Sequence, residues 1–425
     1  MTQPIPARLL GSGWFGALLT VAVTVHVAFF LSVQLAIPHI DLQVYRFAVD
    51  IWFAGGDVYG PMPLTDVGLA LPYLYPPFAI LPAIPFALLP ITASYLLLFL
   101  LNIACIAGTL YLVGRRVSPD GGTRGAALIA TAGLSLSLTL EPVRDTFGYG
   151  QINLLLMALI AADCLVRTPR WPRGMLVGVA AAIKLTPAVF VLYFLARRDY
   201  RAAAVAAVTG AAATAVGFLT SFSDSMEYWF GGFGDTERIT GSTYRANQTV
   251  MAVFARFGVE PPLLTVLVAV VLLALLVPVM RSMRRSGPAT AMVLCGTFMV
   301  LASPTSWSHH WIWIVPAAVV MVAATVRALR TRSRAGYPLA AATSATLLLF
   351  MFAPFDRLPG NHDWTVGVPD IELTWSPWQH LVGDTYVIAG IAWLVGCALA
   401  LRQAPSRARQ REPLATRSGR VSDAD

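Results

Sequence analysis

The chain has 425 residues, of which 57% are hydrophobic and only 12% charged, with a mean hydropathy of +0.67. Soluble globular domains use about 45–50% apolar and about 25% charged residues, so this composition excludes them and requires a polytopic membrane protein. The net charge of +8 comes from 30 basic residues against 22 acidic ones, and it acquires meaning only when the charges are placed by side.

A crossing helix needs about 20 apolar residues. In chain order, ten spans are predicted over 9–37, 91–117, 125–140, 152–166, 202–220, 263–280, 289–302, 311–326, 339–353 and 381–401. The segment 79–90 is too short and proline-rich to cross and reads as an interfacial helix. No small-residue cleavage site follows the first run, so a cleaved leader is not expected. Residues 1–401 then form one transmembrane domain, and 402–425 an arginine-rich cytoplasmic tail. Cys105, Cys164, Cys295 and Cys397 all lie inside apolar runs with no close spacing, which points to packing rather than to disulfides or zinc.

Lys and Arg concentrate on cytoplasmic connections. With a cytoplasmic N-terminus, 23 arginines fall inside and six outside: Arg46, Arg144, Arg238, Arg245, Arg256 and Arg357. Of the 22 acidic residues, 16 fall outside, among them Asp41, Asp50, Asp57, Asp235, Glu237 and Asp363. The polar and aromatic clusters gather there too, in "IDLQVYRFAVD", "EPVRDTFGYGQIN", "TYRANQT", "SPTSWSHHWIW", "DRLPGNHDW" and "DIELTWSPWQH". Any chemistry therefore faces outward.

Lys184 is the single lysine of the chain, and it sits in the apolar run "VGVAAAIKLTPAVFVLYF". Both flanks, "RTPRWPR" and "ARRDYR", are on the arginine-rich side, so the segment enters and leaves from the cytoplasm. Two arms of about 10 residues at 1.5 Å rise reach near the bilayer midplane, with Lys184-Leu185-Thr186-Pro187 at the turn, where proline breaks the helix. An ionisable group at that depth is expensive, and a function is its default explanation. The other clusters have plainer readings: Asp41 as a helix-end carboxylate, Arg144 paired with Glu141 or Asp145, and His309, His310 and the tryptophans as an interfacial aromatic belt.

In series, "DLQVYRFAVDIWFAGGDVYG" with "LPYLYPPFA", "EPVRDTFGYGQINLLLM", "GVAAAIKLTPA", "NQT" and "SPTSWSHHWIWIVP" resemble the actinobacterial polyprenol-phosphate-mannose-dependent α-(1→2)-mannosyltransferases of the GT-C superfamily. The resemblance spans roughly residues 41–316, and departs from close members at Gly148 and in "RANQT". It implies an all-α polytopic GT-C bundle with a re-entrant helix pair and outer-face loops and short helices. It also implies inverting transfer from polyprenyl-phosphate mannose to a lipid-anchored mannoside, a phosphatidylinositol mannoside or lipomannan/lipoarabinomannan, at the outer face of the plasma membrane. Asp41 occupies the place of the general base. With no paired-aspartate motif near it, a metal is not indicated and no cofactor is expected; membrane lipids are partners and nucleic acid is not. Lys184 leads as the donor-phosphate contact, followed by Arg144, His309 and His310. Tyr149, Gln151, Asn153, Asn247 and Gln248 are candidates for sugar or acceptor hydroxyls, and Trp307, Trp311 and Trp375 for stacking on sugar faces. Two other readings stay open: another polyprenyl-phosphate sugar, and a lipid-linked-sugar transporter or flippase.

Overall fold

The computed structural model describes residues 13–231, 242–360 and 370–403, and these are helical with polar connections. The tail beyond Gln403 lies outside the described residues, as do Arg8, Asp235, Glu237, Arg238 and Asp363.

Five helices are long and apolar enough to cross a membrane: Trp14–Gln34, Ile91–Val117, Tyr200–Thr220, Leu263–Arg285 and Ser308–Arg330. Two bent pairs raise this to seven: Pro119–Ser137 with Glu141–Tyr149 at 75°, and Pro377–Gly383 with Thr385–Leu401 at 66°. The remaining three of the ten expected spans are apolar helices of only 13, 15 and 17 residues: Asn153–Leu165, Pro288–Ala302 and Gly336–Phe352. The first covers about 20 Å at 1.5 Å per residue, short of the hydrocarbon thickness of about 30 Å. Pro288–Ala302 is buried along nearly its whole length, so its apolarity serves helix packing as much as lipid. Within the segment 79–90 the chain forms a short helix, Ile80–Ala87.

The lysine segment follows the expected break. Helix Met175–Ile183 ends at Lys184, whose backbone is extended (φ −146°, ψ 130°), and the chain resumes as a 3₁₀ turn, Thr186–Phe190, and helix Val191–Ala196. Arg167 and Arg173 from one flank and Arg197 from the other all lie near enough to Arg116 for it to feel their charge, so both flanks lie at the same end of the bundle. Asp163, fully buried, anchors the first arm: its carboxylate accepts from the backbone N–H groups of Gly174 and Val177 at 3.0 Å and from Trp171 Nε1 at 3.1 Å. A carboxylate at a helix N-terminus satisfies orphan donors and complements the dipole. Gly174 (φ +101°) and Gly178 let this arm press on helix Tyr200–Thr220; a Cβ at Gly178 would come within 2.5 Å of the Ala206 carbonyl oxygen. Small residues at such a crossing permit close backbone approach in membranes.

Candidate active site

Asp41 stands in the first turn of helix Ile40–Phe53, where a negative charge suits the helix dipole. It is not a cap, because its Oδ2 accepts a 2.6 Å hydrogen bond from Gln151 Nε2. The geometry that brings Gln151 there is local. Helix Glu141–Tyr149 closes with Gly150 in the left-handed region (φ +74°), Gly150 N–H bonding Phe147 O at 3.1 Å and Gln151 N–H bonding Thr146 O at 2.9 Å. This is the Schellman arrangement that favours glycine. A Cβ at Gly150 would meet Leu42 Cβ at 2.8 Å, so the same glycine lets the "YGQ" turn dock against the Asp41 helix.

Lys184 reaches the same cavity from the broken arm. Its Nζ donates to Asn153 Oδ1 at 3.1 Å and to Tyr75 Oη at 3.5 Å, and lies 3.1 Å from His310 Nε2. Tyr75 and Tyr45 hydroxyls each reach Gln151 Oε1, at 3.1 and 2.9 Å, so hydrogen bonds run from Lys184 to Asp41 through Tyr75 and Gln151. The cavity measures about 300 Å³, within the range of small-ligand sites. Burial pushes the Asp41 carboxyl up to about 6, against the opposing pull of the Gln151 hydrogen bond and the Lys184 charge.

The cavity also takes Tyr149, Trp307, His309 and His310, while Asn153, bonded to Lys184, lines the adjoining small pocket. His309 packs against Tyr149 and His310 (ring centroids 5.0 and 4.7 Å) on the 3₁₀ turn Ser308–Trp313. Opposite the apolar wall of Leu69, Leu71 and Leu74 stand the carboxyl groups of Glu141, Asp145 and Asp356. Glu141 and Asp145 are hydrogen-bonded to each other, and Tyr386 donates to Glu141 at 2.8 Å.

Six of the sequence candidates do not line this cavity: Asn153 lines the adjoining pocket with Lys184 and His310, and the other five lie elsewhere. Arg144 points away and donates to the carbonyls of Thr139 and Met351, at 3.2 and 3.3 Å, rather than pairing with Glu141 or Asp145. Asn247 is fully buried and clips two loops, donating to Ser242 O at 2.9 Å and accepting from Ser306 N–H at 3.1 Å. Gln248 does the same between Arg245 O, Gly383 O and Tyr386 N–H. Trp311 Nε1 donates to Gln248 O and Trp375 Nε1 to Pro359 O, and both rings are buried in packing. Conversely, Tyr45, Tyr75 and the Glu141–Asp145 pair belong to the cavity without having been singled out. Their signal was the run of tyrosines in "LPYLYPPFA" and the i, i+4 spacing of the two carboxyls.

A cavity lined by a carboxylate, an ammonium, two imidazoles and aromatic rings, in a chain with several membrane-capable helices, has the groups a membrane glycosyltransferase uses. The profile of Glycosyltransferase family 87 matches residues 73–304, and the chain belongs to that family. It is similar to the polyprenol-phosphate-mannose-dependent α-(1→2)-phosphatidylinositol mannoside mannosyltransferase of Mycolicibacterium smegmatis, with 38% identity over 84% of this chain and 82% of that protein. The protein of the same description from Mycobacterium tuberculosis is 34% identical, over 88% of each chain. A phosphatidylinositol pentamannoside mannosyltransferase of Mycobacterium tuberculosis is 30% identical over 87% of this chain and 84% of its own.

Proposed function

We propose that this protein transfers mannose from polyprenyl-phosphate mannose to a phosphatidylinositol mannoside, in α-(1→2) linkage with inversion. The observation that carries the reading is the convergence of Asp41 and Lys184, from distant parts of the chain, on one cavity through Gln151 and Tyr75. Asp41 takes the proton of the attacking 2-hydroxyl as the anomeric C–O bond to phosphate breaks, and the leaving phosphate dianion is met by Lys184 with His309 and His310. The leucine wall suits the prenyl chain, and Trp307, Tyr149 and the Glu141, Asp145 and Asp356 carboxyls suit a polyol headgroup. Higher identity to the phosphatidylinositol mannoside enzymes than to the pentamannoside enzyme favours the former acceptor.

In the membrane, the three shorter apolar helices complete a bundle of ten spans, the Lys184 pair is re-entrant from the cytoplasm, and the cavity opens outward. The arginine asymmetry supports that orientation. The test is purified protein in proteoliposomes with radiolabelled polyprenyl-phosphate mannose and a panel of lipid acceptors. Label is expected in phosphatidylinositol mannosides, removable by an α-(1→2)-specific mannosidase. Label that crosses the bilayer without reaching any acceptor contradicts the reading and favours transport.

A further inference from the structure

Gln151 was a candidate for sugar hydroxyls, yet both ends of its amide are taken by protein groups. Nε2 donates to Asp41 Oδ2 at 2.6 Å, while Oε1 faces the Tyr45 and Tyr75 hydroxyls at 2.9 and 3.1 Å. Its backbone is fixed as well, with Asn102 Nδ2 donating to its carbonyl at 3.3 Å and its own N–H closing the Schellman turn. We propose that Gln151 is a positioning residue for the Asp41 carboxylate, and that Tyr75 links it to the cation assigned to the donor phosphate. The inference rests on the reading of Asp41 as base.

The direction of the chain follows from what each group can donate. An ammonium has no acceptor, so Lys184 can only donate to Tyr75 Oη; the Tyr45 and Tyr75 hydroxyls are themselves 2.8 Å apart, and whichever of them accepts from the other keeps its proton for Gln151 Oε1. With Oε1 turned to a hydroxyl donor, only the N–H end can face Asp41. Hydrogen bonds in series polarise one another, so charge at Lys184 reaches the carboxylate through the neutral groups between them. Oδ2 is held in this way and Oδ1 is left for the acceptor hydroxyl. The ionisable groups around Asp41 are Lys184, Tyr45, Tyr75 and Tyr149; Glu141, Asp145, Asp356, Tyr244, His309 and His310 line the same cavity, and His39 lies two residues before it in the chain, so Asp145→Asn is run beside Gln151→Met to show which carboxyl sets the limb.

The test compares Gln151→Met with wild type for kcat, donor KM and the acidic limb of the kcat–pH profile. Methionine keeps length and removes the amide. Loss of a hydrogen bond to the charged form should move the limb upward by about one unit or more. We expect kcat to fall at least about tenfold with donor KM within a few-fold of wild type, since the lost contact acts on the base and not on donor binding. The double variant Tyr45→Phe/Tyr75→Phe, in which the amide can rotate, should lose kcat in the same sense. A limb that stays in place in Gln151→Met, as it would if His309 or His310 set it, overturns the inference, and so does a kcat loss that merely tracks the folded fraction. Asp41→Asn run in parallel separates the two ideas: if it turns over normally, the base reading has failed; if it is inactive while the Gln151→Met limb stays put, only the positioning role has failed.

Discussion

At Asp41 a carboxylate is held largely out of water by its helix, the leucine wall and two tyrosines, and this burial raises its pKa to about 6. For an acid, a raised pKa means that the proton-accepting form is present above that value and lost below it. Turnover should therefore decline on acidification through pH 6, well above the usual range of an aspartate at about 3.9. Asp41→Asn should fold, bind donor and lose at least about 10²-fold in kcat, the lower end of what general-base assistance contributes. Asp50→Asn should not, because Asp50 is exposed and outside the cavity. Lys184→Met should be made normally, or be more stable, and lose donor affinity, since the ammonium is costly to bury and is compensated by neutral partners. Intact donor affinity in that variant would remove Lys184 from the phosphate site. Asn247→Ala should instead cost about 1–3 kcal/mol of stability, the penalty for leaving buried backbone groups unpaired, with KM for either substrate unchanged once folded protein is compared. The contrast explains what could be read from sequence. A charge in an apolar run announces itself by its cost, so Lys184 was legible; Asp41, which has a plain helix-end reading, was singled out only through the family resemblance. An amide in a polar loop does not reveal whether its partners are sugars or backbone groups such as Gly383 O and Ser306 N–H, which arrive from other parts of the chain.

Among the elements, the broken ones place the chemistry. The 75° bend before Glu141, the Schellman turn at Gly150 and the extended Lys184 each leave a helix incomplete where the cavity needs a side chain. The proline in "KLTP" made the last of these readable, whereas the helix Glu141–Tyr149 was hidden because nine mixed residues carry no usable period. Span length is where the helices depart from expectation: three of the ten expected crossings are helices of only 13, 15 and 17 residues. The closeness of the Lys184 arm to helix Tyr200–Thr220 gives a direct test. Gly178→Ala should lower Tm and turnover together, because the new methyl collides with backbone and overpacking costs about 1–3 kcal/mol. Gly108→Ala, in the open face of helix Ile91–Val117, should leave Tm unchanged or raise it. Equal effects of the two substitutions would show that the crossing at Gly178 is not tight.

Over the whole molecule, the proposed orientation rests on the distribution of the arginines. Arg116, Arg167, Arg173 and Arg197 gather at one end, where Arg116, Arg173 and Arg197 donate to the carbonyls of Leu165, Val166 and Ser286. The cavity instead carries on its rim the Arg245–Asp356 pair (3.6 Å), whose aspartate is 68% exposed. Cys105, Cys164 and Cys295 are buried and Cys397 half-buried, which favours thiol labelling of introduced sites. Asp356→Cys breaks a partly exposed ion pair, worth at most about 1 kcal/mol, and also removes one of the carboxyls proposed for the headgroup, so the transfer rate of the unlabelled variant is the reference for the block. The central claim, a transfer site opening on the face away from the arginines, is tested most directly by treating intact cells carrying Asp356→Cys or Arg330→Cys with a bulky membrane-impermeant thiol reagent and measuring mannose transfer. The account predicts that Asp356→Cys is labelled and transfer is blocked, while Arg330→Cys is labelled only after the membrane is opened. Labelling of Arg330→Cys in intact cells, with Asp356→Cys protected until lysis, would contradict it.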